Sequence, residues 1–210
     1  MKYSKSGTTI IEAVIALVII VIGIIGLYNI NDKSQKLATS TENRIKAISI
    51  AREGIEVLQN IRDTNWIIFG SDTRNCWNSY NYDVTCLGNT GVGPKIPAGN
   101  YIIYKDIDNR WKLQSKVLVG DYSSATYRAT FKVYIDTTDG LYTQSGGTSF
   151  TPLFTRVINI SYPEDTNGDT IFNANDEKML VKSIVSWSDN SKNGFYTTSL
   201  ENLLTNWKRN

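Results

Sequence analysis

Residues 165–176 read DTNGDTIFNAND, a stretch in which oxygen-bearing side chains recur at alternate positions. A hard divalent cation such as calcium takes six to eight oxygen ligands, and a tight turn aims alternate residues inward to supply them. Counted from Asp165, ligand positions 1, 3, 5, 7, 9 and 12 of a calcium loop fall on Asp165, Asn167, Asp169, the Ile171 carbonyl, Asn173 and Asp176. Bound there, an ion neutralises Asp165, Asp169 and Asp176 and fixes the loop.

The spacing is that of an EF-hand loop and resembles the dockerin version, with Asn at the ninth place and Asp at the twelfth. Two departures stand against it. Thr170 occupies position 6, where the turn usually requires Gly, and strand-like sequence follows where a helix is expected. The competing reading is a solvated hairpin loop of Asx turns between strands ending at Tyr162 and beginning at Met179. Calcium is the candidate cofactor, and no other is implied.

Acid–base or nucleophilic catalysis finds little here. The chain has no histidine, no G-x-S-x-G and no phosphate-binding loop, and its carboxylates, lysines, serines and tyrosines fall into no catalytic pattern. The reading is therefore not an enzyme. Charge is nearly balanced, 22 basic against 20 acidic residues, and from residue 63 onward it is 14 against 15. No nonspecific attraction to nucleic acid is implied.

A different chemistry is raised by Glu12. It is the one charged residue among the 21 residues of the run 8–28, which as a helix covers about 31 Å, roughly one bilayer core. Lys2 and Lys5 precede the run, so the positive-inside rule keeps Met1 in the cytoplasm and sends the bulk of the chain outward. No A-x-A-like site follows, which argues against a secretory signal peptide. A carboxylate at the membrane centre costs about 2.5–3.5 kcal/mol, less near an interface, and usually has a partner or a function.

MKYSKSG, then Glu12 five residues beyond Gly7, then an unbroken apolar run: over residues 2–28 this combination resembles the prepilin-type leader of type IV pilins and secretion pseudopilins. In that family a prepilin peptidase cuts after the Gly, a methyltransferase modifies the new N-terminus, and membrane machinery assembles the subunits. The resemblance implies Gly7 before the cut, Thr8 as the new N-terminus and Glu12 as the assembly acid. Glu12 would attract the Thr8 amine of a neighbouring subunit and set its axial register. A carboxylate that is merely hydrated or protonated near the headgroups is the competing reading. Thr8 stands where the family more often has Phe or Met, and the membrane helix lacks the Pro that many major pilins carry. Residues 51–66 and 185–207 also look like segments of pilin-like chains.

The elements that must carry these residues follow from periodicity. Beyond Ile30, Leu37, Ile45, Ile48, Ala51, Ile55 and Leu58 recur at helical spacing, with Lys33, Lys36, Lys46, Glu53, Glu56 and Asn60 on other faces. One helix is expected over 8–62, about 82 Å long, with an apolar transmembrane inner half and an amphipathic outer half. Asp63, Thr64 and Asn65 favour a stop there. All 4 prolines, both cysteines and all 5 tryptophans lie after it. Strand-like runs appear at 101–107, 111–119, 127–135, 154–162, 179–187 and 195–200, with a polar loop at 141–154 and no second amphipathic helix.

The predicted architecture is α+β, a long N-terminal helix followed by an antiparallel β-dominated head. Its parts are a leader (1–7), a membrane and filament-core helix (8–62) and an extracytoplasmic head (63–210). Outside the cytoplasm Cys76 and Cys86 most simply form a structural disulfide. Because the pair follows the helix, it is not the C-terminal disulfide loop that type IV pilins often have.

Taken with the resemblance, these features imply a subunit of a homo-oligomeric helical filament, held in the cytoplasmic membrane as a precursor in contact with lipid and then displayed at the cell surface. Two alternatives stay open. One is a minor pseudopilin of a secretion system. The other is a membrane-anchored binding module, calcium-dependent or not, that does not polymerise.

Overall fold

The computed structural model describes residues 10–88, 94–149, 153–165, 171, 173–188 and 194–208. Its first element, helix α1 (Ile10–Ile68), runs 59 residues without a break, about 88 Å. Ile and Val crowd its first third, residues that lose side-chain freedom in a helix. In hydrocarbon the backbone decides instead, because each of its polar groups must be bonded within the segment. Among the described residues α1 is the helix long and apolar enough to cross a membrane.

The chain divides into two compact units, residues 1–42 and 43–210, so the division falls inside α1. In the first unit, helix residues 10–42 are exposed apart from half-buried Asp32 and Ser40. Polar side chains take over after Ile30: Lys36 pairs with Asp32 one turn away at 2.7 Å, and the Thr39 and Thr41 hydroxyls donate to carbonyls four residues back.

In the second unit the helix buries Ala47, Ile50, Ala51, Ile55, Leu58 and Ile61, spaced three or four apart as one helix face requires. They meet a five-stranded antiparallel sheet of order β2-β1-β5-β6-β7. Its strands are β1 (Gly99–Lys105), β2 (Trp111–Ser115), β5 (Phe154–Ser161), β6 (Lys178–Ser188) and β7 (Phe195–Thr205). Side chains alternate across it. Phe154, Ile158, Ile160, Val181 and Val185 join the cores that include the helix residues, whereas Val157 and Ile184 join a separate cluster with Ile102, Tyr127 and Phe131. Gly54 sits where the helix comes closest to the sheet: a Cβ there would lie 2.5 Å from Ser183 Oγ and 2.9 Å from Ile158 Cδ1.

Between α1 and the sheet lie the short helix α2 (Thr73–Cys76) and two single 3-10 turns. Between β2 and β5 lie helix α3 (Ala125–Phe131) and the small ribbon of β3 (Tyr134–Ile135) and β4 (Tyr142–Thr143).

The α+β architecture is the one expected; β1 and β2 end at Lys105 and Ser115, short of the expected 107 and 119, and three further details differ. Residues 127–135, expected as a strand, begin as α3. The Ser124 side chain caps it by accepting from Tyr127 N at 3.4 Å, and Tyr127 and Phe131, one turn apart, pack with ring centroids 5.0 Å apart. Tyr127, Phe131, Val133 and Ile135 alternate as in a strand, but Tyr127 and Phe131 also lie one helical turn apart, and the cap selects the helix. Second, α1 continues to Ile68 through the expected stop, because the buried Asn65 donates to the carbonyls of Trp77 and Ser79 at 3.2 and 3.1 Å. Third, the loop 141–154 contains β4, and β7 extends to Thr205.

Candidate functional site

Glu12 lies in the first turn of α1 as described, exposed among the exposed apolar side chains Ile10, Ile11, Val14 and Ile15. Gly7 and Thr8, the processing residues, lie outside the described residues. An exposed stretch of Ile, Val and Leu exceeds what a water-soluble surface carries, which gives the segment the character of a membrane anchor.

Cys76 and Cys86 are joined in a disulfide, with Cα atoms 5.2 Å apart and both residues buried. The Asp72 carboxylate ties the two ends of this loop, accepting from Asn75 N at 3.2 Å, Asn75 Nδ2 at 3.0 Å and Gly88 N at 3.0 Å. Those bonds, the Asn75 amide foremost, hold its pKa below the usual carboxylate value. Asn81 adopts the left-handed conformation (φ 54°) that Asn tolerates better than most residues. There its amide exchanges two hydrogen bonds with the Leu113 backbone, at 3.0 and 2.9 Å. Tyr80 and Tyr82 donate to the carbonyls of Leu113 and Trp111. The cross-linked loop thus covers the edge of β2, a protection that an edge strand needs.

The candidate calcium loop is described in part: Asn167 and Asp169 lie outside the described residues. Asp176 is fully buried and accepts from Asn173 N at 2.8 Å, while Asn173 Oδ1 accepts from Asn175 N at 2.7 Å. Asn78 Nδ2 donates to the Ala174 carbonyl at 2.8 Å. The Asn173–Asn175 bond is an Asx turn, the Asp176 bond closes the same loop, and the Asn78 bond ties it to the segment after α1. Among the described residues no group of three or more His, Cys, Asp or Glu forms.

Sequence reasoning missed a buried polar network. Arg156, in the centre of β5, is fully buried. Its guanidinium donates to the Ile50 carbonyl at 3.2 Å, the Tyr142 carbonyl at 2.9 Å and Gln144 Oε1 at 3.3 Å, and lies 3.7 Å from Glu53 Oε1. Glu53 accepts from Tyr142 N at 2.9 Å, and Gln144 Nε2 donates to the carbonyls of Phe131 and Arg156. Burial draws the arginine down to about 10, still charged at neutral pH. It raises the Glu53 carboxyl, with Arg156 pulling the other way. A closed network of this kind registers helix residues 50–53 on the sheet and presents no group to a substrate. The available signal was an arginine at an inward position of FTRVINI.

Comparison with protein-family models, with characterised proteins and with solved structures finds no match.

Proposed function

We propose that the chain is a pilin-like structural subunit, cut after Gly7 and assembled through its N-terminal helix into a type IV pilus or related filament at the cell surface. The observation that carries this reading is the exposed stretch of α1: residues 10–42 are exposed almost throughout, apolar to Ile30 and interrupted by the single carboxylate of Glu12. A helix that is apolar around its circumference requires lipid or other protein around it, and a filament core supplies the second after the membrane supplies the first. Prepilin peptidase, the methyltransferase and the assembly machinery of the cytoplasmic membrane are the partners this requires.

In this reading Glu12 works as an electrostatic register. In a low-dielectric helix core a lone carboxylate is costly, and the amine of a neighbouring Thr8 both relieves that cost and fixes the axial offset between subunits. The head contributes outward surfaces, stiffened by the disulfide.

The deciding measurement is the intact mass and N-terminal peptide of the protein from its native membrane or filaments. A chain beginning at Thr8 with one added methyl is the expected result. Retention of Met1 to Gly7 refutes processing and leaves an anchored module. Glu12→Ala is expected to insert normally in the membrane and fail to enter filaments; normal incorporation removes the pairing from the mechanism.

A further inference from the structure

The sheet face opposite the helix is covered by α3 over only part of its width. Beside α3 a cavity of about 300 Å³ remains, at the lower end of the range for small-ligand sites. Val157, Asn159, Ile184 and Ser186 contribute to its floor from β5 and β6, and Tyr122, Tyr127 and Phe195 add aromatic surface. We propose that this cavity is a binding site for a neutral saccharide, one pyranose ring at a time.

The aromatic side is held in place. Tyr122 is buried, its hydroxyl donates to the Leu153 carbonyl at 2.6 Å, and Arg128 donates to the Tyr122 carbonyl at 2.7 Å. Phe195 is 49 % exposed, and its ring stands 6.0 Å from that of Tyr122 with the planes 35° apart. Phe195 offers an accessible apolar face, and buried Tyr122, with the Arg128 guanidinium over its ring, backs it. A pyranose has a face of C–H groups that packs on such a surface, while its hydroxyls project at the edge.

The polar side matches those hydroxyls. Asn159 Nδ2 donates to Asn100 Oδ1 at 2.9 Å. Both amides line the cavity, and each carries a donor and an acceptor. A sugar hydroxyl both gives and takes a hydrogen bond and so satisfies the pair. The Ser186 and Thr197 hydroxyls, 3.0 Å apart, form a second such edge. A lipid tail would leave these groups without water or partner, at a cost.

Charge argues in the same direction. Of the lining residues Asp121 alone is charged at neutral pH, and none is a cation. Asp121 accepts from the backbone and hydroxyl of Ser123. Arg128, outside the lining, donates from Nη1 to the carbonyls of Tyr122 and Ser123, with its guanidinium 5.8 Å from the Tyr122 ring centroid. The lining itself supplies no cation to a phosphate or carboxylate, and an uncharged polyol fits.

The inference does not rest on filament assembly, and its test uses the unassembled full-length chain in lipid nanodiscs free of glycosidic detergent. Saturation-transfer NMR is recorded with the methyl glycosides of glucose, galactose, mannose and N-acetylglucosamine at millimolar concentration. Transfer to the ring C–H protons of at least one is expected. Phe195→Ala and Asn159→Ala should each weaken it tenfold or more, and Trp207→Ala, an exposed aromatic away from the cavity, should leave it unchanged. Phe195 is half-exposed at the start of β7, so its variant should keep the wild-type circular dichroism and melting temperature, separating lost binding from lost fold. No transfer from any of the four glycosides, or transfer that survives Phe195→Ala, overturns the proposal. So does self-association that Phe195→Ala disperses in the absence of sugar binding, because the cavity then seats a side chain from another copy.

Discussion

Arg156→Met tests the buried network directly. Methionine preserves most of the volume and removes the charge, leaving Glu53, whose side chain is only 16 % exposed, without its cation. Breaking a buried pair by deleting one partner costs about 3–5 kcal/mol, because the remaining charge stays desolvated. Glu53 retains the Tyr142 N–H and partial access to water, which places the expected loss at the lower end, about 3 kcal/mol. For a unit of this size each kcal/mol moves the melting temperature by about 2–4 °C, so a fall of about 6–12 °C is expected. The assay is urea and thermal denaturation of the full chain in nanodiscs, followed by the fluorescence of the buried Trp77 and Trp187. Adding Glu53→Gln removes the stranded charge and should recover about 0.5–3 kcal/mol, the range of coupling for residues in contact. A single variant within about 1 kcal/mol of wild type, or a double variant no better than the sum of the singles, refutes the argument that the pair closes on itself.

Three further outcomes follow from the same geometry. Replacing Cys76 and Cys86 by serine should lower stability by about 2–3 kcal/mol from loop-closure entropy; an unchanged urea midpoint would show that the hydrogen bonds of the loop to β2 suffice without the cross-link. Gly54→Ala should be neutral to about 2 kcal/mol destabilising, since about 1 kcal/mol of helix propensity opposes about 1–3 kcal/mol of overpacking. Ser183→Ala, which deletes the nearest obstacle and a buried hydroxyl with no hydrogen-bond partner among the described residues, should turn that variant stabilising, as read from paired melting curves. Burial raises the Glu53 carboxyl above its ordinary value of 4.5, so the folded state keeps the proton to higher pH than the unfolded chain. Its contribution to stability therefore falls as pH rises from the unfolded value through the folded one. Glu53→Gln should flatten that part of the profile, and a slope left unaltered above the ordinary carboxyl value assigns it to other groups.

What the sequence discloses depends on whether a signal is local. The helix is legible because its apolar run and later stripe are continuous, and β5 and β6 are legible because Phe154, Ile158 and Ile160, and Val181 and Val185, alternate with residues of the other face. The disulfide follows from a pair of cysteines and an outward topology. At Asn65 the local preference for a turn is outweighed by two carbonyls, those of Trp77 and Ser79, that only the folded loop brings within reach. At 127–135 both periods fit, and the cap at Ser124 decides. Arg156 shows a partial signal: the alternation places it inward, so a partner was required, yet Glu53 read as a residue of the solvated helix face.

The cavity had no local signal at all. Asn100, Tyr122, Tyr127, Asn159, Ser186 and Phe195 come from separate elements, and their proximity depends on the strand order that puts β1 beside β5 and β7 beside β6. The helix residues after Asn43 occupy one face of the sheet, which leaves the other for α3 and the cavity. If the chain assembles as proposed and the cavity binds a sugar, Glu12→Ala should abolish assembly and spare recognition, whereas Phe195→Ala should do the reverse, and a variant at either place that loses both would show that the two surfaces are coupled.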